Sequence, residues 1–193
     1  MALSYVDKNI TSVGTGRKIA TFVPHFTISR PCYRRYVFRK GMHPSIANIS
    51  HNYFQHYKVK PIELSSWHFC DNENDANECA DLVMKGIKVA TSPSLWWYQA
   101  SNEPLPRVGD LNIVTNWVGE AQCIIETTNV SIIPFNEITE EYAELEGEGD
   151  KSLAHWKRVH WDYYHRELQG STYTPSETMP IVCETFKVVF KNT

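Results

Sequence analysis

The chain has 193 residues, 42% hydrophobic and 12% aromatic, which suits one compact domain with a true core plus an extension. Its net charge of −3 hides an asymmetry: residues 1–40 carry eight Lys and Arg against Asp7, a balance of +7, while residues 41–193 carry 11 bases against 21 acids, a balance of −10. A body that acidic excludes attraction of a polyanion over the whole surface, no apolar run reaches the length of a membrane span, and no continuous apolar stretch marks an N-terminal secretory leader.

Residues 1–41 show no clear period; 19–28 suits one or two short strands interrupted by Pro24. The pattern over 45–57 predicts a helix capped by Ser45, with Tyr53, Phe54 and Tyr57 at helical spacing, which signifies core more often than ligand contact. Residues 74–85 predict an amphipathic helix: Ala76, Cys79, Ala80 and Val83 form its stripe, Asp71, Asn72 or Asn74 caps it, and Gly86 supplies the left-handed residue that ends it. Residues 88–91 predict a strand, broken by Ser92-Pro93-Ser94, before Leu95-Trp96-Trp97-Tyr98. A hairpin around Gly119 is expected from 111–116 and 121–130, with 132–135 continuing the sheet. A short acidic helix over 137–145 and a long one over 151–168 follow, the latter with Leu153, Trp156, His160, Tyr163, Tyr164 and Leu168 near one face; 181–190 is a closing strand. These elements predict an α+β domain with a small, mostly antiparallel sheet or barrel.

The five cysteines, Cys32, Cys70, Cys79, Cys123 and Cys183, are odd in number, scattered, and lack a Cys-x-x-Cys pair. That argues against a disulfide framework or a zinc site and fits a reducing, cytoplasmic setting. Cys123 and Cys183 fall within strand-like runs, as small core hydrophobes do.

The segment Gly86-Ile87-Lys88-Val89-Ala90-Thr91 carries the most chemical interest. A lysine taken into an interior two residues past a helix-ending glycine loses water around its charge, so its pKa can fall and it can transfer protons. Thr91 offers a hydroxyl for a neighbouring base to activate. On a regular strand, residues 88 and 91 point to opposite faces, so they meet only if the chain bends between them. The similar run Gly16-Arg17-Lys18-Ile19-Ala20-Thr21 follows no helical pattern and is read as accidental. Glu144, Glu146, Glu148 and Asp150 form an acidic set suited either to Mg²⁺ or, as the preferred reading, to a turn and N-cap in which Asp150 or Ser152 starts the long helix; no metal and no cofactor is expected. His155, His160 and His165 advance about 140° per step on a helix, so they form no single ligand cluster, and His160 alone faces inward. Trp96, Trp97 and Tyr98 can stack a base or pack the core, the latter expected for two of the three. Arg107 and Asp110 flank a turn at a strand start.

Several ordered pieces together resemble the ASCH family over roughly residues 48–193. They are Trp67-His68-Phe69, Ala80-Asp81-Leu82-Val83 running into Gly86 to Thr91, Leu95-Trp96 with Tyr98, Glu103 to Asp110, Glu146-Gly147-Glu148-Gly149-Asp150 with Ser152-Leu153 and Trp156, then His160, and Met179 to Glu184. The pattern is similar to the longer bacterial branch, in which a Gly-Glu-Gly-Asp loop precedes the long helix. The resemblance implies a PUA-like fold, a small β-barrel flanked by helices, over 42–193, with 1–41 as a basic N-terminal extension. Of the family's Gly-x-Lys-and-Arg signature the chain keeps Gly86 and Lys88, but Pro93 stands at the Arg position, which removes a donor for phosphate or a base edge.

The resemblance also implies activities. Some small members are amidohydrolases acting on N4-acetylcytidine through a Lys, a Thr and a Glu, which fall on Lys88, Thr91 and Glu146. Others in the longer branch resemble ribonucleases, and the fold suggests an RNA-binding module. The expected site is therefore catalytic Lys88, Thr91 and Glu146, with Trp96, Tyr98, Glu148 and His160 binding a small modified nucleoside; the alternative is RNA bound or cut by the same pocket with the basic arm. Lys88 either is neutral and takes a proton, or stays charged while Glu146 or Glu148 acts as base. No membrane partner is expected, and the oligomeric state is open.

Overall fold

The computed structural model describes residues 43–191. The basic extension and the strands expected over 19–28 lie outside the described residues.

In chain order the elements are α1 (Pro44–Tyr57), β1 (Ser65–Trp67), α2 (Glu73–Met84), β2 (Ala90–Thr91), α3 (Leu95–Ser101), β3 (Leu111–Thr115), β4 (Ala121–Pro134), a 3₁₀ turn (Phe135–Glu137), α4 (Glu140–Glu146), α5 (Leu153–Glu167) and β5 (Pro180–Lys191). The helix starts follow capping chemistry. Asn72 accepts from the Asp75 N–H at 3.0 Å and Ser152 from the His155 N–H at 3.1 Å. Asp150 in turn accepts from both the N–H and the hydroxyl of Ser152, so the acidic loop ends in the expected capped turn. Helix α1 begins one residue earlier than expected. Pro44, pre-set for the first helical position, shifts the cap to His43, and the Ser45 hydroxyl instead accepts from the Ala121 N–H at 2.7 Å, tying α1 to β4.

The strand order is β1-β3-β4-β5-β2. β1 runs parallel to β3, and the other pairings are antiparallel. β1 and β2 form the two edges, so the small barrel expected from the sequence is, among the described residues, an open five-stranded mixed sheet. The hairpin at Gly119 stands as expected, and 132–134 continue β4. The strand expected over 88–91 shortens to Ala90–Thr91, because Val89 N–H is committed to the Leu145 carbonyl at 2.8 Å rather than to a ladder.

Adjacent residues of the central strands serve opposite faces, as the two-residue period requires. Ile113 and Ile124 pack with Ile46, Ile49 and Phe54 of α1; Val114 and Ile125 pack with Val83 of α2 and Trp97 and Tyr98 of α3. A third cluster, built around Phe135, Tyr142, Trp156, Tyr164, Met179 and Ile181, joins α4 and α5 to β2 and the far end of β5. The site lies beside this cluster.

Ile124 is completely buried, whereas Ile132 on the same strand is half exposed. Ile124→Ala should lower unfolding free energy by about 2–5 kcal/mol, from lost transfer energy plus a cavity. Ile132→Ala should stay within about 0.5 kcal/mol. Urea midpoints of the two variants check this contrast.

Candidate functional site

Lys88 enters the interior through a tightly bonded turn. Gly86, at φ +70°, ends α2 and donates to Val83 O, while Ile87 and Lys88 N–H both donate to Leu82 O. The next N–H, Val89, reaches the end of α4, and Val89 O then accepts from Phe186 N–H of β5. Between Lys88 and Thr91 the backbone thus changes partner from α4 to the sheet. This irregularity lets both residues line one pocket, of about 220 Å³, together with Ser92, Pro93, Glu146, Glu148, His160 and Tyr163.

The segment after Lys88 is held at every turn. Thr91 O accepts from Tyr142 OH at 2.9 Å, Ser92 O from Tyr164 OH at 2.7 Å, and Pro93 O from Val182 N–H at 2.9 Å. Ser94 N–H donates to Glu167 at 3.3 Å. Buried backbone groups need such partners, and here they fix the pocket wall. The Thr91 side chain is left facing the pocket, and its hydroxyl makes no hydrogen bond among the described residues.

Lys88 is 1% exposed, and two of its three ammonium N–H groups meet carboxylates. Nζ donates to Glu146 Oε2 and to Glu148 Oε1, each at 2.6 Å, and stands 5.2 Å from the Phe69 ring centroid. Burial works against its charge, but Glu146 and Glu148 outweigh burial and hold its pKa well above the ordinary lysine value. Lys88 is therefore an ammonium, and of the two roles open to it the charged one fits this geometry.

Glu146 sits at the centre of the cluster. Its second oxygen accepts from Trp156 Nε1 at 2.8 Å and from the Ser92 hydroxyl, with His160 Nε2 at 3.5 Å. Desolvation opposes its ionisation, but Lys88 and His160 hold its pKa far below the usual carboxylate range. His160 stacks on Trp156, with centroids 4.1 Å apart. Its Nδ1 meets the Trp156 carbonyl at 3.0 Å and so must donate; its Nε2 faces a carboxylate. The imidazolium alone supplies a donor at both nitrogens. Accordingly its pKa is raised, Glu146 and its hydrogen bond overcoming burial. Glu148 is the more open carboxylate, its side chain 24% exposed, and also receives the Cys79 thiol at 3.4 Å.

Glu146 and Glu148 lie on either side of Gly147, whose φ is +69°. A Cβ there would stand 2.7 Å from Ile87 Cγ2 and 2.8 Å from Ile87 O, so only glycine lets this loop close on the turn that carries Lys88.

Lys88, Thr91, Glu146, Glu148 and His160 thus come together. Trp96 and Tyr98 do not join them. Helix α3, which the run of four large residues did not reveal, is capped by Ser94 and turns Trp97 and Tyr98 into the core, while Trp96 stacks on Tyr173 at 5.3 Å. Ser92, Trp156 and Tyr163 also belong to the site, beyond the residues expected from the sequence. Trp156 was already visible one helical turn before His160, and Ser92 beside Thr91, but nothing in spacing alone tied either to Glu146. Among the described residues no group of three or more His, Cys, Asp or Glu is arranged as a metal site, and both loop carboxylates are bonded to Lys88.

The pH dependence of stability follows from these directions. Glu146, depressed in the fold, stabilises above its ordinary 4.5 and loses that contribution as pH falls through its folded value. Lys88, raised, contributes below 10.5 and loses its contribution as pH rises past its folded value; His160 does likewise, starting from 6.5. Lys88→Ala, which strands Glu146, should cost about 3–5 kcal/mol. In Lys88→Met with Glu146→Gln the acid-side loss of stability should flatten. Urea midpoints taken from about pH 7 down to about pH 3 read this out, and an unchanged slope would show that the pair contributes nothing.

Comparison with known proteins matches residues 65–190 to the family model described as ASCH domain. The crystal structure of an ASCH domain from Lactobacillus crispatus is 38% identical, with TM-score 0.72, covering 80% of this chain and 99% of that one. A protein from Enterococcus faecalis is 28% identical, with TM-score 0.71, covering 76% of this chain and 89% of its own. Among curated proteins, none matches the chain at a significant level. The family match runs from β1 to β5 and includes the Lys88 turn and the Glu146–Glu148 loop, and the chain belongs to the ASCH domain family, with an α+β, PUA-like architecture whose sheet is open.

Proposed function

We propose that the pocket hydrolyses an amide on a small, largely uncharged modified nucleoside of the N4-acylcytidine type. The observation that carries this reading is a buried ammonium, Lys88, lining the same pocket as the unengaged Thr91 hydroxyl and the part-exposed Glu148 carboxylate. Thr91 Oγ1 adds to the acyl carbon while its proton passes to Glu148, and the carbonyl electron pair moves onto oxygen. Lys88, with His160 behind it, supplies positive charge near the developing oxyanion. As the oxyanion collapses the C–N bond breaks and the departing amine takes the proton from Glu148; a water repeats the sequence and releases the acid. Glu146 orients Lys88 rather than serving as base, because four donors surround it and its pKa is depressed.

Charge supports a neutral substrate. The lining holds Asp71, Asp75, Glu146, Glu148 and Asp162 against Lys88, Arg166 and His160, and both long cations are already paired with carboxylates. A phosphate entering there would meet excess negative charge. The +7 balance of residues 1–40 favours the second reading, an RNA-binding module or single-strand ribonuclease that uses the same pocket with the basic arm.

Incubating the full chain with N4-acetylcytidine and following cytidine chromatographically tests the first reading. Thr91→Val and Glu148→Gln should each lower turnover by about 10²–10⁴-fold with circular dichroism unchanged. No turnover by the unmodified protein would overturn it. Binding of single-stranded RNA that weakens steeply with salt would then support the second.

A further inference from the structure

We propose that Cys70 and Cys79 form a peroxide-oxidisable dithiol built into the wall of the pocket, an inference that goes beyond the hydrolytic reading and does not depend on it. The two sulfurs lie 3.7 Å apart, although the residues belong to different elements: Cys79 is buried on the inward stripe of α2, and Cys70 is half-buried in the loop before it. Cys70 lines the pocket that also holds Lys88 and Thr91, so a small oxidant entering there meets it first. It is held at φ +58°, a left-handed conformation uncommon for a side chain of this kind, and such conformations persist where surroundings impose them and cluster at functional positions. Both cysteines, with Glu148, also line a second cavity beneath the loop. A disulfide requires the sulfurs to close to about 2.05 Å, a further approach of less than 2 Å.

The chemistry balances with hydrogen peroxide as oxidant. Cys70 sulfur attacks one peroxide oxygen, the O–O bond breaks, and Cys70 becomes a sulfenic acid with loss of one water. Cys79 sulfur then attacks Cys70 sulfur, the S–S bond forms and the S–O bond breaks, and the leaving hydroxide takes up a proton as a second water. Cys79 is a reluctant thiolate on its own: the Cys70 contact, burial and Glu148 all raise its pKa. Glu148 Oε1, 3.4 Å from Cys79 Sγ, is placed to accept the thiol proton as the attack proceeds. Two sulfurs are oxidised and two peroxide oxygens reduced. The resulting bridge withdraws the Cys79 hydrogen from Glu148, whose other side-chain partner among the described residues is Lys88. Oxidation at the wall is thereby felt at the ammonium.

The test uses the reduced full chain carrying Cys32→Ser, treated with equimolar hydrogen peroxide, alkylated, and cleaved at the acidic residues between positions 70 and 79. Mass spectrometry should find the Cys70 and Cys79 peptides linked and separable by reductant, with Cys123 and Cys183 still alkylated after unfolding. Adding Cys79→Ser should abolish the link and leave Cys70 trapped by dimedone as a sulfenic acid, which a merely structural thiol would not do. Full alkylation of both cysteines after peroxide, a link from Cys70 to any other cysteine, or accumulation of Cys70 sulfinic acid with Cys79 present would overturn the proposal.

Discussion

A lysine ammonium with 1% exposure needs compensation, and the organisation of the pocket follows from how that compensation is built. Isolated burial of such a charge costs several kcal/mol even after relaxation. Here two carboxylates from one loop meet it at 2.6 Å, and one of them is itself satisfied by Ser92, Trp156 and His160. The cluster brings together the end of α2, the Gly147 loop, the start of α5 and the segment after β2. None of these elements holds the charge alone, so the site and this part of the fold are one cooperative arrangement. Removing Lys88 leaves Glu146 a buried carboxylate without its ammonium partner.

The same dependence keeps β2 short. β2 is only two residues long because the chain spends the preceding residues reaching α4 and the following ones meeting Tyr142, Tyr164, Val182 and Glu167. Past Thr91 the pairing with β5 thins to the Val182 N–H to Pro93 O bond and an isolated antiparallel bridge between Ser94 and Ile181, while Thr91 O, Ser92 O and Ser94 N–H take side-chain partners. Glu167, which receives the Ser94 N–H, has its carboxyl pushed up to about 7 by burial, while the Ser94 and Tyr163 hydrogen bonds pull the other way.

Much of this was legible in the residues. The stripe Ala76, Cys79, Ala80, Val83 and the terminating Gly86 gave α2 and the entry of Lys88, because helical periodicity and a left-handed end are local properties. The hairpin at Gly119 and the caps at Asn72 and Ser152 are local as well. What the sequence hid was non-local. Aromatic residues such as Trp96 and Tyr98 suit either a base or a core, and only the direction imposed by the Ser94 cap decides between them. Ser92 and Trp156 gain meaning only through Glu146, 54 and 10 residues away. The charge on Lys88 could not be settled without knowing that two carboxylates, rather than one, would reach it. The 3.7 Å approach of Cys70 to Cys79 was likewise invisible to a count that looked for Cys-x-x-Cys.

The tied-down segment from Thr91 to Ser94 has a consequence for how the pocket can adapt. One wall is pre-organised, so an incoming molecule does not have to order it and gains no freedom from loosening it. The same pocket is also lined by the bidentate pair Arg166 and Asp71, whose side chains are 51% and 24% exposed, so that water screens it more than it screens the buried cluster. Reshaping the pocket there breaks one partly exposed ion pair, whereas reshaping the Thr91 wall would break several buried hydrogen bonds at once. A change of ligand size is therefore accommodated at lower cost around Arg166 and Asp71 than along the Thr91 to Ser94 wall.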